Sequence, residues 1–172
     1  MWAGKIGDSL IPWVIGKADL GDDVLEVGPG PGLTTDALRK RAPNLTTVEI
    51  EPDLARSLQQ RLPDVTTVNA DATDMPFDTG RFSAAVSFTM LHHVPSKELQ
   101  DKLLGEVHRV LRPGGLFLGS DSSSSFLFRV AHLFDTMVLV DPDSFDERLA
   151  RAGFTEPKVS KTPRAFKFRA QA

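Results

Sequence analysis

Three glycines at alternate positions, Gly28, Gly30 and Gly32, follow the apolar run of "VLEVGPGPGLTTDAL", and an acid, Glu26, interrupts that run. A glycine-rich turn leaving a strand lets a ligand lie against bare backbone and permits positive φ. Two familiar turns of this kind do not fit. A dinucleotide fingerprint, G-x-G-x-x-G, would place its third glycine at position 33, where the chain has Leu33. A phosphate-cradling P-loop needs a Gly-Lys-Ser/Thr tail, and none follows. What stands here is G-x-G-x-G with an acid two residues before it. A tight structural turn with a solvated Glu26 is the plainer alternative. Further along, Glu49, Asp71 and the pair His92-His93 each close an apolar run, where acids and imidazoles could meet a ligand.

Composition narrows the chemistry. The 172 residues include no cysteine, which removes disulfides, thiol nucleophiles and cysteine-held metals together. A net charge of -3 supplies no general attraction for a nucleic-acid polyanion, so no nucleic-acid partner is expected. The evenly spaced Lys158, Lys161, Arg164, Lys167 and Arg169 read as a solvated face. At 41% hydrophobic and 25% charged residues the chain is ordinary for a globular protein. The apolar run Leu10 to Ile15 is interrupted by Pro12, is too short to span a bilayer, and precedes no small-residue cleavage site. Stable membrane insertion is therefore not expected, and a cytoplasmic location is the default.

These residues need elements to position them. Short β-branched runs alternate with helical patterns, the signature of a parallel sheet covered by helices. "DVLEV", "LTTVEI", "VTTVNA", "FSAAVSF" and "LFLGS" read as five strands. "TTDALRKRA", "PDLARSLQQRL", Lys97 to Leu111 and "SFDERLARAGF" read as helices, the second with Leu54, Leu58 and Leu62 on one face. "PKVSK" and "AFKFRA" form a closing pair. The reading is one α/β domain over residues 1–172, Rossmann-like and doubly wound, with a mostly parallel seven-stranded sheet and helices on both faces. Residues 1–22 are an N-terminal helical cap and 122–142 an apolar, lid-like insertion. Ligands of such sheets sit beyond the C-terminal strand ends.

With these elements placed, the chain resembles the class I S-adenosylmethionine-dependent methyltransferases, from about Val24 to Phe154. "VLEVGPGPG" is similar to their first motif, an acid-bearing strand followed by G-x-G-x-G. The resemblance implies that Gly28, Gly30 and Gly32 pass beneath the methionine and ribose of S-adenosyl-L-methionine, and that Glu26 helps bind the amino-acid end. An acid there suits a sulfonium with an ammonium group and would repel a pyrophosphate. By the same resemblance Glu49, in "VEIEP", accepts the ribose hydroxyls, and Ile50 packs on adenine. Asp71 and Ala72, in "NADATDMPF", read the adenine edge, and the backbone around Phe88 and Thr89 holds the amino group. Pro113, Gly114 and Gly115 of "VLRPGGLFL" are structural. Each acid also has a plain reading, Glu49 as a strand-end charge and Asp71 as a turn former.

The acceptor is less legible. The first half also looks like the ribosomal RNA adenine dimethylases, but "SFTMLHH" lacks their Asn/Asp-Pro turn with its stacking ring, and the chain has no tyrosine. Metal-dependent catechol-type methylation needs carboxylates where Phe88 and Thr89 stand, so no metal is expected. "TMLHHVP" resembles instead the small-molecule group called type 11. A small, apolar acceptor methylated at oxygen is expected, with the chain acting as a monomer or homodimer. The alternatives are a ribosomal RNA adenine methyltransferase-like enzyme and a catalytically silent S-adenosylmethionine-binding protein. His92 and His93 sit where the acceptor approaches; His92 is expected to act as base and His93 to pack before Pro95. His108, on the long helix, and His132, on the lid, are expected to be structural or surface residues. Ser125 to Pro142, apolar nearly all round as a helix, reads as a lid, a dimer seam or core.

Overall fold

The computed structural model describes residues 9–122 and 137–172. After a short helix, α1 (Ile11–Ile15), come β1 (Asp23–Val27), α2 (Thr35–Leu38), β2 (Asn44–Glu49), α3 (Pro52–Arg61), β3 (Thr66–Asn69) and β4 (Phe82–Phe88). A 3-10 turn (Leu91–His93) leads to α4 (Lys97–Val110) and β5 (Leu111–Ser122). After residue 136 follow α5 (Phe145–Arg151), β6 (Thr155–Lys161) and β7 (Ala165–Gln171). The sheet order is β3-β2-β1-β4-β5-β7-β6. Strands β1 to β5 are mutually parallel, and β7 runs antiparallel between β5 and β6. The strand order reverses between β1 and β4, so a crevice opens beside the C-terminal end of β1.

The sheet's two-residue period sorts its side chains into two cores. Val24, Ala84, Val86 and Leu118 pack under α1, α2 and α3, with Ile11, Leu38 and Leu58 from those helices. Leu25, Val27, Ala85 and Phe117 face the other way, under Leu103, Leu104 and Val107 of α4 and Phe145 and Leu149 of α5. On that side Phe168 of β7 meets Phe145 at 5.0 Å and Phe117 at 4.9 Å between ring centroids, nearly edge to face. Helix α4 begins where Ser96 accepts the Leu99 N–H, and Pro52 starts α3 with a preset φ.

Two element readings change. The helix expected over "TTDALRKRA" is regular only over Thr35–Leu38, and Arg41 and Ala42 both donate to Leu38, which winds its end into turns. The fifth strand is longer than "LFLGS", because Leu111 pairs with Phe82 across a bulge before the main register begins at Leu116. Among the described residues no helix is long and apolar enough to cross a membrane. Of the apolar stretch 122–142, residues 123–136, His132 included, lie outside the described residues, as do residues 1–8 of the expected N-terminal cap.

Candidate functional site

The C-terminal ends of β1, β2, β3 and β4 and the start of α4 enclose a cavity of about 640 Å³. Its floor begins with the glycine turn, where the three glycines prove to do different work. A Cβ on Gly28 would stand 2.2 Å from Cγ of Met90, and one on Gly32 would stand 2.4 Å from Leu58 and 2.5 Å from Arg61. Those two glycines admit protein. Gly30 has φ +54° and lines the cavity, and apart from its chain neighbours a Cβ there would meet no described residue within 4 Å. Only Gly30 leaves its bare side to the open space.

Glu49 ends β2 on the cavity wall, 5% exposed. One of its carboxylate oxygens accepts the Gly30 N–H at 2.9 Å and the other accepts the Glu51 N–H at 3.0 Å. The acid thus braces the glycine turn from the cavity side while keeping lone pairs for a ligand. Ile50 follows, 59% exposed along the rim. Asp71 and Ala72 line the far wall, and Asp71 accepts the Thr73 N–H at 2.8 Å, so its turn-forming role is real. Phe88 and Thr89 close the site at the end of β4. Thr89 carries φ +49°, a conformation costing a β-branched residue about 1–3 kcal/mol, held by its N–H bond to the Ser120 carbonyl.

Glu26, Gly32 and His92 do not line this cavity. Glu26 lies beneath the turn, 1% exposed, and accepts hydroxyl hydrogens from Thr34 and from Thr35, at 2.5 and 2.6 Å. Burial pushes its carboxyl up to about 7, and the two hydroxyls only partly offset that. Glu26 was expected to help bind the amino-acid end of a ligand; its carboxylate meets the first turn of α2 and does not line the cavity.

The two histidines are arranged opposite to expectation. Successive residues of a 3-10 turn project about 120° apart, so one of the pair faces the cavity and the other the core. His93 is the exposed one and lines the cavity. His92 is 4% exposed, its Nδ1 bonded to Oδ1 of Asp121 and its backbone N–H donating to Oδ2 at 3.1 Å. Asp121, at the end of β5, also accepts the Ser122 N–H. From the other side Gln100 of α4 donates to the carbonyls of Leu91 and Val138, and the Val138 N–H donates to the His92 carbonyl. The turn presenting His93 is thus tied to β5, α4 and the returning chain.

Several cavity residues escaped the sequence reading. Met90, Val94, Leu99 and Leu103 form an apolar end next to His93; nothing distinguished them from core positions of α4 and its lead-in. Asp121 did carry a signal, an acid within or at the end of an apolar strand, as Glu26 and Glu49 are. The wall as a whole holds three carboxylates, Glu49, Glu51 and Asp71, and among the described lining residues no lysine or arginine. Such a wall attracts a cation and repels a phosphate.

Residues 25–119 match the family model described as a methyltransferase domain. The chain is 30% identical over 146 residues to 2-methyl-6-phytyl-1,4-hydroquinone methyltransferase 2, chloroplastic, of Oryza sativa subsp. japonica, covering 80% of this chain and 40% of that protein. It is 39% identical over 80 residues to ribosomal RNA small subunit methyltransferase A of Cupriavidus pinatubonensis, covering 45% of this chain and 28% of the other. It therefore spans well under two thirds of either relative. In fold it is similar to Haemonchus contortus phosphoethanolamine N-methyltransferase 2, solved in complex with S-adenosyl-L-methionine, with a TM-score of 0.76 at 16% identity, over 91% of this chain and 50% of that one.

Proposed function

The chain belongs to the methyltransferase-domain family, and we propose that it transfers a methyl group from S-adenosyl-L-methionine to an oxygen of a small, apolar acceptor. The observation that carries this reading is the charge inventory of the cavity: three carboxylates and a bare glycine, with no lysine or arginine among its described lining residues. A sulfonium bearing an ammonium group fits that donor set, and a dinucleotide pyrophosphate does not. When bound, S-adenosyl-L-methionine supplies an electrophilic methyl that needs no covalent enzyme intermediate.

The chain's own residues then have three tasks. Glu49 and Asp71 hold hydroxyl and amine donors, Ile50 covers an aromatic ring, and Gly30 allows close approach, each as the resemblance implies. Met90, Val94, Leu99 and Leu103 exclude water and seat an apolar acceptor body. A ring nitrogen of His93 takes the proton of a hydroxyl acceptor, and His92, held by Asp121, supports the turn that presents it.

Turnover tests the reading. The purified protein should release S-adenosylhomocysteine when given S-adenosyl-L-methionine and a panel of apolar phenols and hydroxy acids. Binding without release on any acceptor would mark a silent cofactor-binding protein. The ribosomal RNA reading is favoured by the 80-residue likeness to an RNA enzyme, and methyl incorporation into RNA in place of small acceptors would select it. His93→Ala should lower turnover by roughly 10²–10⁴, the usual worth of a positioned base, with S-adenosylhomocysteine affinity nearly unchanged. His92→Ala should instead lower the melting temperature. Equal rates in His93→Ala and wild type would remove the base assignment.

The two acids should differ in weight. Glu49→Ala strips an acceptor from two backbone N–H groups as well as from the ligand, so affinity should fall about 100-fold or more; Asp71→Ala should cost about tenfold. Calorimetric titration with S-adenosylhomocysteine checks the ranking, and unchanged affinity in both would sink the cofactor assignment.

A further inference from the structure

Arg61 is the last residue of α3, yet its guanidinium reaches back to the glycine turn. Nη2 donates to the carbonyls of Pro31 at 2.9 Å and Gly32 at 3.2 Å, and Nη1 donates to both carboxylate oxygens of Asp36 at 2.7 Å. Gly32 lacks a side chain where this contact is made, since a Cβ there would stand 2.5 Å from Nη2. Glu49 grips the Gly30 N–H from the cavity side, so the turn is pinned between an acid that receives its amide and an arginine that donates to its carbonyls.

We propose that Arg61 is a positioning residue for the cofactor: it clamps the outer side of the glycine turn so that Gly30 keeps its bare side open to the cavity. The inference rests on the cofactor reading above. Three physical points favour it over a plain surface ion pair. The side chain is 40% exposed, where an isolated Arg–Asp pair contributes little to stability. The guanidinium divides its donors between a carboxylate and two carbonyls, a task for a planar fork and not for an ammonium. And the groups it holds belong to the one segment that must stay open against a ligand.

The clamp predicts an effect on affinity larger than its effect on stability. Arg61→Ala should bind S-adenosylhomocysteine about tenfold more weakly, the equivalent of two modest hydrogen bonds. Asp36→Asn, which keeps the bonds to the carbonyls, should lose about twofold to threefold. Arg61→Lys should recover only part of the Arg61→Ala loss, since a point charge cannot serve both partners. A spectroscopic sign accompanies the loss: the Gly30 amide resonance of the unliganded Arg61→Ala protein should broaden and exchange faster, then sharpen on saturation with S-adenosylhomocysteine. A merely structural arginine would lower the melting temperature and leave both affinity and that amide unchanged, which would overturn the proposal. If Arg61→Ala fails to fold, Arg61→Lys decides by the same two measurements. Failure of the wild-type protein to bind S-adenosylhomocysteine would instead overturn the cofactor reading itself.

Discussion

Gly30→Val is expected to abolish S-adenosylhomocysteine binding while the protein still unfolds in a single cooperative transition. The side chain would enter open space, because among the described residues no atom beyond Gly30 and its two chain neighbours lies within 4 Å of the Cβ position. It would therefore fold without a clash and occupy the ligand's place. The backbone adds a cost, since φ +54° is left-handed, worth about 1–2 kcal/mol against any residue with a Cβ and more against a β-branched one. A stability loss of that size leaves the native state dominant in a protein of ordinary stability. Gly30→Ala should fall between, with binding weakened and the fold intact. Calorimetric titration beside thermal unfolding separates the two effects. Normal affinity in Gly30→Val would mean that the bare side of Gly30 meets no ligand and that the glycine turn is only structural.

The second large effect is on stability against pH. Buried Glu26 has its carboxyl pushed from 4.5 to about 7 in the folded protein, chiefly by loss of water. Between those values the folded state holds a proton that the unfolded state has released, so stability falls as pH rises through that window. Above 7 both states are ionised, and the native state carries the full cost, about 3 kcal/mol. Glu26→Gln removes the titration and keeps the shape; one threonine hydroxyl donates to the amide oxygen and the other turns to accept from its nitrogen. Urea unfolding of both proteins at pH 4 and pH 8 cancels the other titrating groups. The wild type should lose about 3 kcal/mol relative to the variant across that range. Parallel pH profiles would show that Glu26 ionises freely where it lies.

The element order and the place of the site were legible in the chain because their signals are local. The apolar run of β1 and the alternation of strand and helix patterns need only near neighbours to be read. So does the rule that such sheets bind ligands at their C-terminal ends, and the cavity lies there, with Gly28, Gly30, Glu49, Ile50, Asp71, Ala72, Phe88, Thr89 and His93 on its walls. Tertiary structure decided what each group meets. Gly28 and Gly32 looked the same as Gly30, but Met90 fills the space beside one, and Leu58 and Arg61 the space beside the other. Glu26 and Glu49 both stand at or next to the end of an apolar strand, yet one points beneath the turn to Thr34 and Thr35 and the other lines the cavity. His92 and His93 are adjacent and of one type, and Asp121, 29 residues on from His92, determines which is buried. Local pattern sets the direction of the backbone and the face a residue occupies. The partner waiting on that face comes from distant sequence, and only the packed chain brings it there.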